Sequence, residues 1–445
     1  MSNCVLILGS GNVSACFVRF LLERVEHHLV VADLSEERAR AAALGNGRAE
    51  PMRFDASDAS GLSRLIREIG ASLVVSLLPP ALDPLVARVC IDLRTPMLTT
   101  SYASRALKEL DGDAQKADVL VLAEIGLDPG IDHLLAARAI DAAHGAGAEV
   151  IAFESVCGAI PAQESSLNPF AYKFSWFPRG ALAAVKRPAR FLRDGRVVTL
   201  PEAAILEHST LRHFESLGWF EDYPNMDALP YAQAYGIPEA RTLYRGTLRY
   251  PGWCETLRVI HRLGLLDEAE LHVTAGRSYR GLLAQLLGMP EHGDLEGAVA
   301  ERSGVHPTST AMQRLVWLGI FAEEAIPLAQ RATAFDILLD LMLRRLRYER
   351  GERDLVALDV SIVEKRRGQT AQASSQVVAF GTPEGDSATA QTVAAPAAIA
   401  AQLILEGRIA LRGVRLPIDK SIYLPVLGSL PEAGIAVTQR GLSMP

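Results

Sequence analysis

Six strand-sized apolar runs punctuate the first 125 residues of this chain: 5–8, 29–32, 52–54, 73–76, 97–100 and 119–122. Three of them, 5–8, 29–32 and 119–122, are apolar at every position, not at alternate ones. That is the pattern of parallel strands buried on both faces. The run 52–54, interrupted by Arg53, shows it least clearly. Helical patterns fill the gaps. Residues 15–22 carry a stripe of Phe17, Val18, Leu21 and Leu22, and Ser35 followed by Glu36 and Glu37 caps a second helix. Asp83-Pro84 opens a third, with proline at its first position. Strict alternation of strand and helix predicts an α/β fold with a doubly wound parallel sheet.

The first turn reads Gly9-Ser10-Gly11-Asn12-Val13-Ser14, between a strand and a helix. In a dinucleotide-binding turn the first glycine makes the bend and the second lets backbone N–H groups approach a pyrophosphate at the helix N-terminus. The third small position is Ser14 here, not glycine. The second run ends at Asp33, 22 residues after Gly11. A carboxylate there accepts from a ribose 2′-hydroxyl and repels a 2′-phosphate, so the expected cofactor is NAD in preference to NADP. Asp33 also suits the cap of the next helix, and Arg38 is read as too far along that helix to clamp a phosphate. Ligands gather at the carboxyl ends of parallel strands. This points to Asp55 as an adenine contact, to Leu78 as wall beside the nicotinamide, and to Thr100, Ser101 and Tyr102 next to the substrate.

From residue 149 the pattern changes. Longer mixed strands are expected at 150–157, 242–249 and 355–363, with loops at 161–178 and 223–238, helical material at 311–348, a strand at 377–380 and an apolar helix at 396–405. The net charge of −7 argues against nucleic acid and polybasic membrane contacts as partners. No uninterrupted apolar run reaches the ~20 residues of a membrane span, and no basic residue precedes Arg19, so no signal peptide is expected. The five scattered cysteines lack a paired spacing and suit a reducing, cytoplasmic setting with no metal site.

Chemistry concentrates in Glu124-Ile125-Gly126-Leu127-Asp128-Pro129-Gly130-Ile131-Asp132-His133, then in Ser155-Val156-Cys157-Gly158, Tyr172-Lys173-Phe174-Ser175-Trp176, Tyr223-Pro224-Asn225 and Arg245 to Tyr250. With these segments the chain resembles the saccharopine dehydrogenase (L-glutamate-forming) family over most of its length. The resemblance implies a Rossmann dinucleotide domain, residues 1–130 plus 395–445, and an inserted α+β substrate domain, 131–394. It implies an oxidoreductase of the CH–NH bond that interconverts saccharopine and water with glutamate and 2-aminoadipate 6-semialdehyde, with a small amino-acid substrate; a homodimer is compatible with it. By family position Tyr102, Asp128 and Cys157 surround the substrate amine, and each proton transfer there needs a group able to hold one. Ser101, Thr247, Leu248 and Arg249 bind substrate, Arg249 offering its fork to a carboxylate. Asp128 also suits a turn and Cys157 simple packing, and His133 is read as a helix-start hydrogen-bonder. Family members commonly carry a basic residue where Asp33 stands and an arginine where Met226 stands. Methionine cannot pair with a carboxylate, so Arg241, Arg212 or Lys173 compensates, or the substrate lacks that group. The alternatives are a carboxy-polyamine-type dehydrogenase joining a diamine or agmatine-like amine to an amino-acid semialdehyde, and an idle dinucleotide-binding sensor.

Overall fold

The computed structural model describes residues 4–202, 204–272, 276–327 and 331–443. The chain divides into two units, Met1–Ile151 with Val356–Pro445, and Ala152–Leu355. These divisions fall at 151/152 and 355/356, where the sequence suggests 130/131 and 394/395. The helix Ile131–Gly145 stays with the first unit because the helix Lys420–Ser429 packs on it, and the Tyr423 hydroxyl donates to Asp141 at 2.7 Å. The strand Gln369–Phe380 stays there because it pairs antiparallel with Val437–Ser443.

The first unit holds the expected doubly wound sheet. Its strands are β1 (Cys4–Leu8), β2 (His28–Asp33), β3 (Ala49–Arg53), β4 (Ala71–Ser76), β5 (Met97–Thr99) and β6 (Leu120–Leu122). Their order is β6-β5-β4-β1-β2-β3, with Gly413–Arg415 added beyond β6, and every pairing is parallel. All five residues of β1 are buried, which explains its unbroken apolarity. The order reverses between β1 and β4, the switch point that opens a crevice at the strands' carboxyl ends. The helices α1 (Ser14–Arg24) and Ala388–Leu405 pack together.

The helix Ala388–Leu405 differs from expectation. It starts eight residues before 396 and carries Pro396 inside it, and its length and composition would suffice to cross a membrane. It is instead mostly buried in the unit, and its many alanines allow close packing. Thr392, whose carbonyl loses its donor at Pro396, turns its own hydroxyl onto Ala388 O at 2.7 Å.

In the second unit Thr210–Phe214, Gly218–Pro224 and Thr242–Arg249 pair antiparallel in sequence, and Thr242–Arg249 runs parallel to residues 152–157. Thr242–Arg249 has the bounds read from sequence. The expected strand at 150–157 extends as Glu149–Pro161. The material at 311–348 resolves into two helices, Thr310–Leu318 and Ala334–Arg345, and 328–330 lie outside the described residues.

Candidate functional site

Gly9 makes the first turn at φ +98°, and a Cβ there would sit 2.7 Å from Leu77 O. Its N–H donates to Ala32 O at 2.8 Å. Ser14 fills the third small position and donates its hydroxyl to Gly9 O at 2.9 Å, bracing the turn as glycine could not. The first N–H groups of α1 have no intrahelical carbonyl to bond and carry the positive end of its dipole. No atom lies within 4 Å of a Cβ placed on Gly11, and the buried Ser10 Oγ has no hydrogen-bond partner. Gly9, Ser10, Gly11, Asn12 and Val13 therefore fit a pyrophosphate, and the Leu78 side chain flanks the turn.

Asp33 ends β2 beside this turn. Its carboxylate accepts from Ser10 N at 2.8 Å, Ser35 N at 2.9 Å and Arg38 Nη2 at 2.8 Å. Burial works to raise its pKa, and the two N–H groups and the guanidinium outweigh it and hold the carboxyl below its usual range. Arg38 thus reaches the end of β2 after all. Ser35 caps the helix Glu36–Ala42 by accepting from Arg38 N, which places Arg38 in the first turn with its side chain free to fold back. Asp55 is exposed and its Oδ1 accepts from Ser57 N and Ser57 Oγ, so that carboxylate is turned onto its own loop.

Past β5 and β6, two loops meet. The Tyr102 hydroxyl donates to Asp128 Oδ1 at 2.5 Å, and both residues are half-buried. Thr100 and Ser101 precede Tyr102, and Thr99 Oγ1 accepts from Ser101 N at 3.2 Å while donating to the buried Asp83 at 2.9 Å. Glu124 and His133 are fully buried and share a hydrogen bond of 2.7 Å. Sequence reasoning passed over this pair. The signal was an acid and a histidine nine residues apart around a glycine-rich turn, visible only once the turn closes.

In the second unit Cys157 and Thr247 are register partners on parallel strands. A Cβ on Gly158 would lie 2.8 Å from Leu248 Cβ and 3.0 Å from Leu248 O, so a glycine is what lets these strands approach. Arg249 is buried, with its guanidinium carbon 5.2 Å from the Tyr172 ring centre and 5.8 Å from that of Trp253. Its Nη1 donates to Leu248 O at 2.7 Å, its Nε has no partner, and no carboxylate pairs with it among the described residues. Burial works against its charge, and Tyr223, Tyr172, Cys157 and Cys254 favour it, with the net direction upward. Burial pushes the Tyr223 phenol up to about 12.

Met226 stands apart in left-handed backbone at φ +58°. The three expected substitutes for the missing arginine each bond another group. Arg212 bonds Asp222 and Glu154, Lys173 pairs with Glu352, and Arg241 bonds Asp194 O. The guanidinium that reaches its sulfur is that of Arg187, at 4.0 Å.

Residues 5–122 match a family model described as the saccharopine dehydrogenase NADP binding domain, and 126–435 match the saccharopine dehydrogenase C-terminal domain. The chain is 34% identical to the saccharopine dehydrogenase [NADP(+), L-glutamate-forming] of Pyricularia oryzae, over 96% of both chains. The Saccharomyces cerevisiae enzyme of that name is also 34% identical, over 97% of both. The mitochondrial alpha-aminoadipic semialdehyde synthase of Bos taurus is 36% identical over 98% of this chain, which spans 47% of that longer protein's length. Apo saccharopine dehydrogenase (L-Glu forming) from Saccharomyces cerevisiae superposes with a TM-score of 0.89 at 32% identity, covering 99% of this chain and 100% of that one. The expectation of NAD is overturned by the NADP-binding family model and the NADP(+)-linked relatives. Its physical premise fails too, because Asp33 is not a bare carboxylate: two N–H groups and Arg38 already hold it. The chain belongs to the saccharopine dehydrogenase family.

Proposed function

We propose that this chain is an NADP(H)-dependent oxidoreductase that interconverts saccharopine and water with glutamate and 2-aminoadipate 6-semialdehyde. The observation that carries this reading is the 2.5 Å hydrogen bond from Tyr102 to Asp128, a proton-holding pair at the carboxyl ends of a dinucleotide-type sheet. When bound, the nicotinamide exchanges a hydride with the carbon beside the substrate nitrogen. The chain's own groups then handle protons. Oxidation of the amine leaves an imine, water adds to it, and the carbinolamine collapses to aldehyde and free amine. Each stage takes up or releases a proton at nitrogen or oxygen. Tyr102 Oη and Asp128 Oδ1 can pass one between them without rearranging. Glycine-turn N–H groups and Ser10 Oγ hold the pyrophosphate, and Arg38 meets the 2′-phosphate. Arg249 supplies an uncompensated cation for a substrate carboxylate, with Cys157 and Thr247 on the strands beside it. Arg187 keeps a guanidinium at Met226, which favours a carboxylated substrate over the diamine alternative. The five buried cysteines, with no disulfide, support a reducing cytoplasmic setting. The test is a spectrophotometric assay with NADPH, glutamate and the semialdehyde. The NADPH band should decay only with all three present, and no decay under any condition removes the assignment.

A further inference from the structure

Tyr102 sits on an irregular segment between β5 and the next short helix, yet it must keep its hydroxyl within hydrogen-bond distance of Asp128 on a different loop. One residue grips both peptide groups flanking Tyr102. Glu124 N donates to Ser101 O at 3.1 Å, and Glu124 Oε1 accepts from Ala103 N at 3.0 Å. To do both, Glu124 adopts φ +60°, a backbone conformation uncommon outside glycine. Its other oxygen, Oε2, is held by His133 Nε2 at 2.7 Å. His133 lies in the first turn of the helix Ile131–Gly145. The Asp128 loop closes onto that same turn: Ile131 N donates to Gly126 O at 2.8 Å, and Asp132 N donates to Leu127 O at 3.2 Å. The Tyr102 loop and the Asp128 loop are therefore tied to one helix start, the first through a single carboxylate.

We propose that Glu124 and His133 are positioning residues whose buried hydrogen bond sets the Tyr102–Asp128 distance. This rests on the reading of Tyr102 as a reacting group. Both side chains are fully buried; His133 acts through Glu124, and Glu124 through the backbone on either side of Tyr102. A misplacement of ~1 Å at a reacting group can lower turnover by about 100-fold, so releasing the clamp should be felt in kcat and not in cofactor affinity.

The test is a double-mutant cycle on the full chain. It compares His133→Leu, His133→Gln, Tyr102→Phe and the His133→Leu/Tyr102→Phe pair by kcat, KM, NADPH affinity from fluorescence, and melting temperature. His133→Leu should lower kcat about 100-fold with NADPH affinity within about twofold. His133→Gln, whose amide N–H reaches the place of Nε2, should recover at least about tenfold of that loss. In the Tyr102→Phe background, His133→Leu should remove less than about threefold more, because the residue it positions is already disabled. Equal losses in both backgrounds, or an unchanged kcat in His133→Leu, would overturn the proposal. Where His133→Leu does not fold, Glu124→Gln enters the same cycle with the same expectation. Full activity in Tyr102→Phe would instead bring down the reading of the site on which the proposal stands, so the two failures are distinguishable.

Discussion

At the carboxyl end of the first unit's sheet, each carboxylate of the site is met by donors from its own unit. Asp33 has Ser10, Ser35 and Arg38; Asp83 has Ser76 and Thr99; Glu124 has Ala103 and His133. In the second unit, Arg249 is as deeply buried and meets phenols, an indole and thiols, but no carboxylate among the described residues. The second unit can satisfy an arginine when architecture calls for it. Arg212, in the same sheet, is flanked by Asp222 at 2.9 Å and Glu154 at 2.8 Å. The contrast separates two uses of charge. Paired groups hold geometry with or without ligand, whereas a buried cation left uncompensated is costly until an anion arrives.

The largest effect that sharpens this contrast belongs to Asp128. Asp128→Asn keeps the size of the side chain but loses the basic oxygen that receives the Tyr102 proton. Initial-rate kinetics should show kcat reduced by ~10²–10⁴-fold with NADPH binding preserved. A loss confined to KM would break the reading of a proton-holding pair.

The two arginines should respond with opposite sign. Arg212→Met leaves Asp222 and Glu154 without their counter-charge and should lower unfolding free energy by about 3 kcal/mol in denaturant titrations. Arg249→Met removes an uncompensated charge, so its stability should be unchanged or higher. Its KM for the amino-acid substrate should rise by ~30-fold or more, equivalent to about 2 kcal/mol of lost binding. Equal destabilisation of the two variants would erase the distinction drawn above.

Asp83 probes the paired side of the comparison. Burial pushes its carboxyl up to about 6 from 3.8, against the bonds from Ser76 and Thr99. A raised acid binds its proton more tightly when folded. Its contribution to stability is therefore complete below the unfolded value and is lost as pH rises through about 6. Asp83→Asn should flatten the decline of melting temperature over that window. Parallel curves for parent and variant would show that Asp83 does not titrate there.

The smallest expected effect is at Arg38. Without it, Asp33 faces the ribose with its charge less compensated and the 2′-phosphate loses a cation. Fluorescence titration of Arg38→Ala should show NADPH binding weakened ~10-fold and NADH binding nearly unchanged. Equal weakening of both cofactors would remove Arg38 from phosphate recognition.

Local pattern made much of this architecture legible. The uniformly apolar runs identify β1 and its neighbours because both faces of each strand are covered, and Thr242–Arg249 was readable to the residue. The glycine turn was readable because Gly9 answers a backbone demand. What escaped depends on side-chain reach and on pairings distant in sequence. Arg38 is five residues past Asp33, a separation that suggests distance until the Ser35 cap turns the helix back. Pro396 suggested a helix start, although the helix begins at Ala388 and continues through the proline. His133 was assigned a helix-start role that left out its partner, since nothing local shows that Glu124 adopts a left-handed backbone and points inward. The resemblance named Cys157, Thr247 and Arg249 as candidates. It did not reveal that Arg249 lacks a carboxylate partner, which only the packed chain shows.

Gly158 acts as a spacer of zero thickness. A single methyl at that position would be driven into Leu248, the residue between Thr247 and Arg249 on the facing strand. The wedge would move the strand bearing Cys157 relative to the one bearing the orphan cation, while leaving every functional group chemically intact. The spacing of these two strands is thus set by one missing carbon atom.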